Sequence, residues 1–228
     1  MQQTSHVFSG EFSAVGQGRI CRDTLYSRAG KRFFDIALVL LAAPIVLPIV
    51  AVFWMAARFG GRPGIYGQER VGLNGRTFMC WKIRTMSENA DALLERHLAG
   101  NPVLAREWQL NQKLKDDPRI TRLGRFLRRT SLDELPQFWN VLAGDMSLIG
   151  PRPFTPDQKR LYDEEPLAET YYRVRPGISG LWQVSSRNNS TFKDRVNYDH
   201  VYGTRITLGK DLSILFRTLA VVFRATGK

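Results

Sequence analysis

Cysteine and histidine are scarce in this chain. Of 228 residues, two are cysteine (Cys21 and Cys80) and three are histidine (His6, His97 and His200). Two widely separated cysteines exclude a disulfide-stapled scaffold and match no metal-ligand spacing. The scattered histidines argue against a His-built zinc site, and the cysteine usage suits a reducing compartment. Acidic residues are also in short supply: 21 Asp and Glu stand against 33 Lys and Arg, a formal charge of +12. That excess points to an anionic partner, whether nucleic acid, lipid headgroups or phosphorylated substrates. At 43% hydrophobic the chain can build a core, so global disorder is excluded. There is no internal repeat or low-complexity tract.

What the chain has is one long uncharged run, IALVLLAAPIVLPIVAVFWMAA, from Ile36 to Ala57. A straight helix of that length extends about 33 Å at about 1.5 Å per residue, against a bilayer core of roughly 30 Å. A signal peptide would start nearer residue 1 and lead to a small-residue cleavage site. Pro44 and Pro48 each remove a backbone donor and predict a kink or break near the middle. Basic residues flank both ends: Arg28, Lys31 and Arg32 before, Arg58, Arg62 and Arg70 after. Basic flanks stay in the cytoplasm, so the expected form is a Pro-broken re-entrant helix whose two ends share one side, with an ordinary kinked spanning helix as the alternative. Asp35 is expected at the interface, paired with Lys31 or Arg32.

Residues 1–28 read as a flexible tail, 29–59 as the membrane segment and 60–228 as a cytoplasmic interfacial domain. Gly60-Gly61-Arg62-Pro63-Gly64 is a breaker cluster. Residues 65–72 and 77–84 read as a β-hairpin joined at Leu73-Asn74-Gly75. One helix starts at Ser87 and ends at Gly100, and another follows Pro102. Arg119 to Arg129 (RITRLGRFLRR) reads as a basic amphipathic helix suited to an anionic membrane, as does the stripe from Leu208 to Arg224. The fold class expected is α+β, predominantly α, monotopic, with amphipathic interfacial helices and a short hairpin.

Three stretches carry candidate chemistry. In Thr130-Ser131-Leu132-Asp133-Glu134-Leu135-Pro136-Gln137, the Ser131/Glu134 spacing reads as a capping box. Asp133 and Glu134 can then be ordinary first-turn acids. Alternatively, one attacks phosphorus and the other holds a divalent cation, with Arg125, Arg128 and Arg129 nearby. In Gly150-Pro151-Arg152-Pro153, two prolines stiffen the backbone around a guanidinium suited to phosphate. The run Arg173-Val174-Arg175-Pro176-Gly177-Ile178-Ser179-Gly180-Leu181-Trp182-Gln183 joins arginines to glycines that permit close approach. Trp182 reads either as a core residue or as a stacking face for a base.

Six motifs then occur in order: Lys31-Arg32-Phe33-Phe34-Asp35-Ile36, Lys82-Ile83-Arg84-Thr85-Met86, Ser131-Leu132-Asp133-Glu134-Leu135-Pro136-Gln137, Gly144-Asp145-Met146-Ser147, Gly150-Pro151-Arg152-Pro153 and Arg175-Pro176-Gly177-Ile178-Ser179-Gly180. Over about residues 29–226 the chain resembles the bacterial polyprenyl-phosphate sugar-1-phosphate transferases. Its length is similar to the small monotopic members, especially the exopolysaccharide-priming galactosyl type. The resemblance implies that Asp133 attacks the sugar-proximal phosphate of a UDP-sugar, galactose or glucose, releasing UMP. Glu134 would help bind Mg2+. Undecaprenyl phosphate would then accept the phosphosugar from Asp133. Lys82, Arg84, Arg128, Arg129, Arg152, Arg173, Arg175, Gln183 and Arg187 would bind substrate. The expected location is the bacterial inner membrane, with the catalytic domain on its cytoplasmic face. Anionic lipids are expected partners and nucleic acid is not; a homo-oligomer and downstream glycosyltransferases are left open. The chain departs from the family pattern at Leu47 before Pro48, where serine is usual, at Ile83, where an aromatic is usual, and at Ser186, where glycine is usual. Two other classes compete: a membrane-tethered nucleic-acid-binding module, and a non-catalytic adaptor in which Asp133 and Glu134 only cap a helix.

Overall fold

A computed structural model describes residues 25–58, 63–111, 114, 116–185 and 191–223. The N-terminal tail through residue 24, most of the breaker cluster and Arg187 lie outside the described residues. A π-helical turn, Tyr26–Gly30, runs into α1 (Lys31–Arg58). The antiparallel hairpin β1 (Ile65–Val71) and β2 (Thr77–Ile83) follows. Next come α2 (Ala90–Ala99), α3 (Pro102–Asn111), α4 (Arg122–Thr130), a 3-10 turn Leu132–Glu134 and α5 (Gln137–Ala143). The C-terminal part holds β3 (Ser147–Ile149), α6 (Lys159–Asp163), α7 (Glu169–Tyr172), β4 (Gly177–Ser179), α8 (Leu181–Ser185), α9 (Arg195–Thr204) and α10 (Leu208–Phe223).

As an element the apolar helix is not interrupted: α1 runs through both Pro44 and Pro48. The prolines are four residues apart, so both missing hydrogen bonds fall on one face and the opposite face keeps its ladder. Most of the helix is bare, with Leu41, Ile45 and Leu47 exposed; it is long and apolar enough to cross a membrane. Its first turns are built into the domain, and near its other end Phe53 and Trp54 also touch it, against Phe126 and Gly64. Asp35, expected at an interface, is buried instead. It accepts from Ser147 Oγ at 2.7 Å and from the Leu148 amide at 3.2 Å. Lys31 lies 3.9 Å from it and 2.7 Å from Asp211, which also accepts from Tyr26 and Tyr202. Burial of these charges is tolerable because each is paired and hydrogen-bonded.

The hairpin matches the sequence pattern, with Asn74 and Gly75 in the left-handed conformation that an Asn-Gly turn uses. The helix expected from Ser87 begins later, at Ala90, and Gly100 ends it as anticipated. The basic helix also starts later than expected. Thr121 caps α4 by accepting from the Gly124 amide at 2.9 Å. Arg119 falls outside α4, buried and bonded bidentately to Asp117. Gly124 sits directly on the Thr85 carbonyl, where a Cβ would come to 2.1 Å. That close approach brings α4 onto the end of β2. Leu127 is fully buried while Arg122, Arg125 and Arg129 face outward. In α10 the expected stripe of Leu212, Leu215, Phe216, Leu219 and Phe223 divides: Leu215 packs against the core, as does Ile214 outside the stripe, while Phe216 and Leu219 are exposed.

Two motifs far apart in sequence become one unit. β3 and β4 pair in parallel, Ser147 to Gly177 and Ile149 to Ser179. Bonds from Gly150 N to Ser179 O and from Gly177 N to Pro151 O extend the pairing past the strands. This requires glycine at both positions: a Cβ on Gly177 would lie 2.1 Å from the Gly150 nitrogen. Ile149 belongs to a core formed with Val39, Val141, Met146, Tyr202 and Ile214. Phe154 belongs to a second, aromatic core with Tyr162, Tyr171 and Phe192. Pro151-Arg152-Pro153 is the bridge between these cores.

Asn140 fixes α5 to β2. It accepts from Trp81 N at 3.1 Å and donates to Met79 O at 2.7 Å and Asp145 Oδ2 at 3.2 Å. Asn140→Ala would strand two strand-edge backbone groups, at about 1–3 kcal/mol for each buried unsatisfied group. The expected result is a clear drop in the midpoint of a thermal melt in detergent. An unchanged midpoint would mean that this tie is dispensable.

Candidate functional site

α4 ends at Ser131, which adopts the left-handed conformation (φ 59°) although it is not glycine. The reversal throws the chain into the turn that carries Asp133 and Glu134 and then into α5. The expected capping box is absent: Ser131 makes no side-chain cap bond, and neither acid caps α5. Ser131 closes α4 and leads into the 3-10 turn with a left-handed backbone in place of the extended one that a box requires.

The two acids have different surroundings. Glu134 Oε1 accepts from Arg152 Nη2 at 2.6 Å and from Lys82 Nζ at 3.0 Å; Arg152 Nη1 reaches Oε2 at 3.4 Å. Burial opposes its charge, but Arg152, Lys82 and their hydrogen bonds outweigh burial and hold the carboxyl well below the usual range. Asp133 is 6% exposed. Among the described residues, nothing hydrogen-bonds its carboxylate. Burial, and then the adjacent Glu134 charge, raise its pKa, against the pull of Lys82, Arg128 and Arg152. One acid is therefore clamped, and the other is a carboxylate with unengaged lone pairs facing three cations.

The predicted binding residues divide into two sets. Lys82 and Arg152 hold Glu134. Arg128 donates to Thr85 Oγ1 at 3.0 Å and adds its charge beside Asp133. The others lie elsewhere. Arg84 bonds the Pro63 carbonyl and covers the Tyr66 ring. Arg129 is exposed on α4. Arg173 is exposed and pairs with Glu169. Arg175 donates to the Gly144 carbonyl at 2.9 Å. Arg32 bonds the adjacent carbonyls of Val141 and Leu142, so these two arginines satisfy the C-terminal end of α5, the end away from the dyad. Gln183 is buried and bonds the Ile178 carbonyl. The Trp182 ring lies against the Arg195 guanidinium.

The sequence reading did not assign Arg70, Cys80, Gln137 or Pro153 to the site, yet with Lys82, Glu134 and Arg152 they line one pocket. Cys80 and Lys82 share a face of β2 by period-2 alternation; that signal was available once Lys82 was chosen. Arg70 gave none, because its reach into the site depends on hairpin register: it opposes Phe78 and donates to the Pro153 carbonyl at 3.2 Å.

Among the described residues there is no group of three or more His, Cys, Asp or Glu that could hold a metal. The donor set does fit magnesium bound through one or two carboxylates and completed by substrate phosphates and water. Glu134 Oε2 has only the long Arg152 contact, and Asp133 is adjacent.

The conformation of Ser131 is itself testable. A left-handed residue other than glycine costs roughly 1–2 kcal/mol, and more for a β-branched side chain. Ser131→Gly is expected to melt at or above the unaltered protein and Ser131→Val well below it. Equal melting of the two would contradict the assigned backbone geometry.

Comparison with known proteins follows the same residues. The family model for bacterial sugar transferases matches residues 26–225. The undecaprenyl-phosphate galactose phosphotransferase of Salmonella typhimurium is 45% identical over 201 residues, 88% of this chain and 42% of the relative. The exopolysaccharide production protein ExoY of Sinorhizobium fredii is 43% identical over 198 residues, 86% of this chain and 87% of the relative. The UDP-glucose:undecaprenyl-phosphate glucose-1-phosphate transferase of Escherichia coli is 34% identical over 202 residues, 85% of this chain and 40% of the relative. The chain thus spans well under half of the Salmonella and Escherichia proteins and most of ExoY. A match over this extent, passing through the dyad turn and the Pro151-Arg152-Pro153 bridge, means that the chain belongs to the bacterial sugar transferase family.

Proposed function

We propose that this protein transfers a hexose-1-phosphate, with galactose or glucose as the hexose, from a UDP-sugar to undecaprenyl phosphate. UMP is released, and the product primes exopolysaccharide or glycoconjugate synthesis. The observation that carries this reading is the division of labour in the dyad, a clamped Glu134 beside an unbonded, cation-facing Asp133. A pair of caps would need neither feature, which counts against the adaptor alternative.

In the first displacement an Asp133 carboxylate oxygen forms a bond to the sugar-proximal phosphorus. The bridging P–O bond breaks, and its electron pair leaves with UMP. In the second, a phosphate oxygen of the lipid attacks the same phosphorus. The bond to Asp133 breaks, regenerating the carboxylate and giving undecaprenyl diphosphate hexose. Splitting one transfer into two lets both phosphate substrates use one nucleophile in turn. Lys82, Arg128 and Arg152 stabilise charge on the transferred group, the main requirement of phosphoryl transfer. Glu134, with Asp133 and the substrate phosphates, would hold Mg2+, which supplies further charge neutralisation when bound. Lys82 and Arg152 orient Glu134 for that role.

The membrane part of the proposal is a monotopic, re-entrant anchor with the site on the cytoplasmic face of the inner membrane. Both ends of α1 touch the same domain, which supports it. Asp35 bonds Ser147 at one end, and at the other the Phe53 ring lies 5.9 Å from Phe126 of α4. Gly64 packs on Trp54, where a Cβ would lie 2.4 Å from the Trp54 carbonyl. A straight spanning helix of 28 residues would instead hold its ends about 42 Å apart on opposite faces.

Two measurements test these claims. Purified protein with Mg2+, UDP-galactose or UDP-glucose, and undecaprenyl phosphate is expected to release UMP and form the lipid diphosphate sugar. Asp133→Asn should lower turnover at least about a thousandfold, in keeping with loss of a covalent nucleophile. Because Asp133 must be ionised and its pKa is raised, activity should fall with decreasing pH above the roughly 3.9 of a free aspartate. Lys82→Met should move that limb higher still. Retained activity in Asp133→Asn would overturn the mechanism. For topology, single cysteines at Ala29 and Arg58 in a cysteine-free background should both be labelled only from the cytoplasmic side. Labelling of one of them from outside would establish a spanning helix.

A further inference from the structure

Arg195, the first residue of α9, is 3% exposed. Its guanidinium lies among four rings, 5.2 Å from Phe192, 5.5 Å from Tyr162, 5.6 Å from Trp182 and 5.7 Å from Phe154. Asp199, one helical turn on, is its ion partner at 3.5 Å and also accepts from Tyr162 at 2.7 Å. Arg195 Nη2 donates to the backbone carbonyl of Arg152. Burying a charge in an aromatic cage is costly, and apolar residues of similar volume often stabilise such a position as well or better. A hydrocarbon side chain could fill the cage but could not bond the Arg152 carbonyl.

Arg152 is held at its backbone on one side and bonded through its side chain to Glu134 on the other. Its flanking prolines leave few backbone torsions free. Fixing its carbonyl therefore fixes the direction in which its guanidinium leaves the chain. We infer that Arg195 is a positioning residue: it acts through the Arg152 carbonyl to keep the Arg152 fork on Glu134 and in reach of the donor phosphates. The donor-phosphate part rests on the transferase reading above; the backbone part does not.

A double-mutant cycle separates positioning from packing. Arg195→Met, which refills the cage, should lower kcat/KM for the UDP-sugar at least tenfold in the otherwise unaltered protein. In an Arg152→Ala background the same change should cost less than about twofold, because the group it positions is gone. Arg195→Lys, which keeps a donor, should recover part of the loss. Equal losses in both backgrounds would overturn the inference. A second readout needs no turnover. The amides of Gly177 and Val71 donate to the carbonyls of Pro151 and Phe154, on either side of Arg152. In Arg195→Met their hydrogen exchange should quicken several-fold while the melting midpoint stays within a few degrees. Unchanged exchange would overturn the positioning role. Quickened exchange in a protein that turns over no UDP-hexose would retain that role and refute the transferase reading instead.

Discussion

The arrangement depends on the clamp that Lys82 and Arg152 place on Glu134. Each partner comes from a different part of the chain: β2, the bridge between two cores, and the turn after α4. Bringing two cations and a carboxylate together below the surface costs desolvation, and such a group is poor evidence for stability as such. Its consequence is chemical. By engaging Glu134, the cations leave Asp133 as the carboxylate with open lone pairs, its charge opposed by burial and by Glu134 and only partly offset by Lys82, Arg128 and Arg152. Two adjacent acids thereby have different surroundings.

Other features of the fold serve this meeting. Asn140 pins α5 to the strand that carries Lys82. Gly124 lets α4 lie on Thr85, which sets Arg128 beside the turn. The parallel β3–β4 pair locks Arg152's loop against the Gly177 segment. The first turns of the apolar helix enter the same structure through Asp35 and Ser147, so the anchor is bonded directly to the strand that leads into the Arg152 bridge. On the monotopic reading this matters for function: a lipid phosphate is confined to the membrane surface, and a nucleophile that serves it must be held at a fixed height there.

Much of this was legible in the residues. The Asn-Gly turn, the apolar run and the Gly-stopped helix follow from local chemistry that tertiary contacts do not override. The dyad and the Pro151-Arg152-Pro153 stiffener could be singled out because their composition is unusual for a surface loop. What could not be read depended on partners distant in sequence. Arg175 and Gln183 sit in a motif that pairs with another backbone segment, and they bond the carbonyls of Gly144 and Ile178, which their spacing does not reveal. Ser131 has the spacing of a capping box, but its backbone reverses and closes the helix before it. The two prolines predict a kink or break, and because they are four residues apart the helix continues through both with its missing bonds on one face. Arg70 and Arg195 act on backbone carbonyls, which no side-chain pattern advertises.

The central claim is that the unbonded Asp133, and not the clamped Glu134, bears the transferred group. It is tested most directly by quenching the protein with UDP-hexose and Mg2+ in the absence of lipid, then mapping the mass adduct by peptide fragmentation. The account predicts one hexose-phosphate on Asp133, lost when undecaprenyl phosphate is added. An adduct on Glu134, or rapid transfer to lipid with no adduct on either acid, would contradict it.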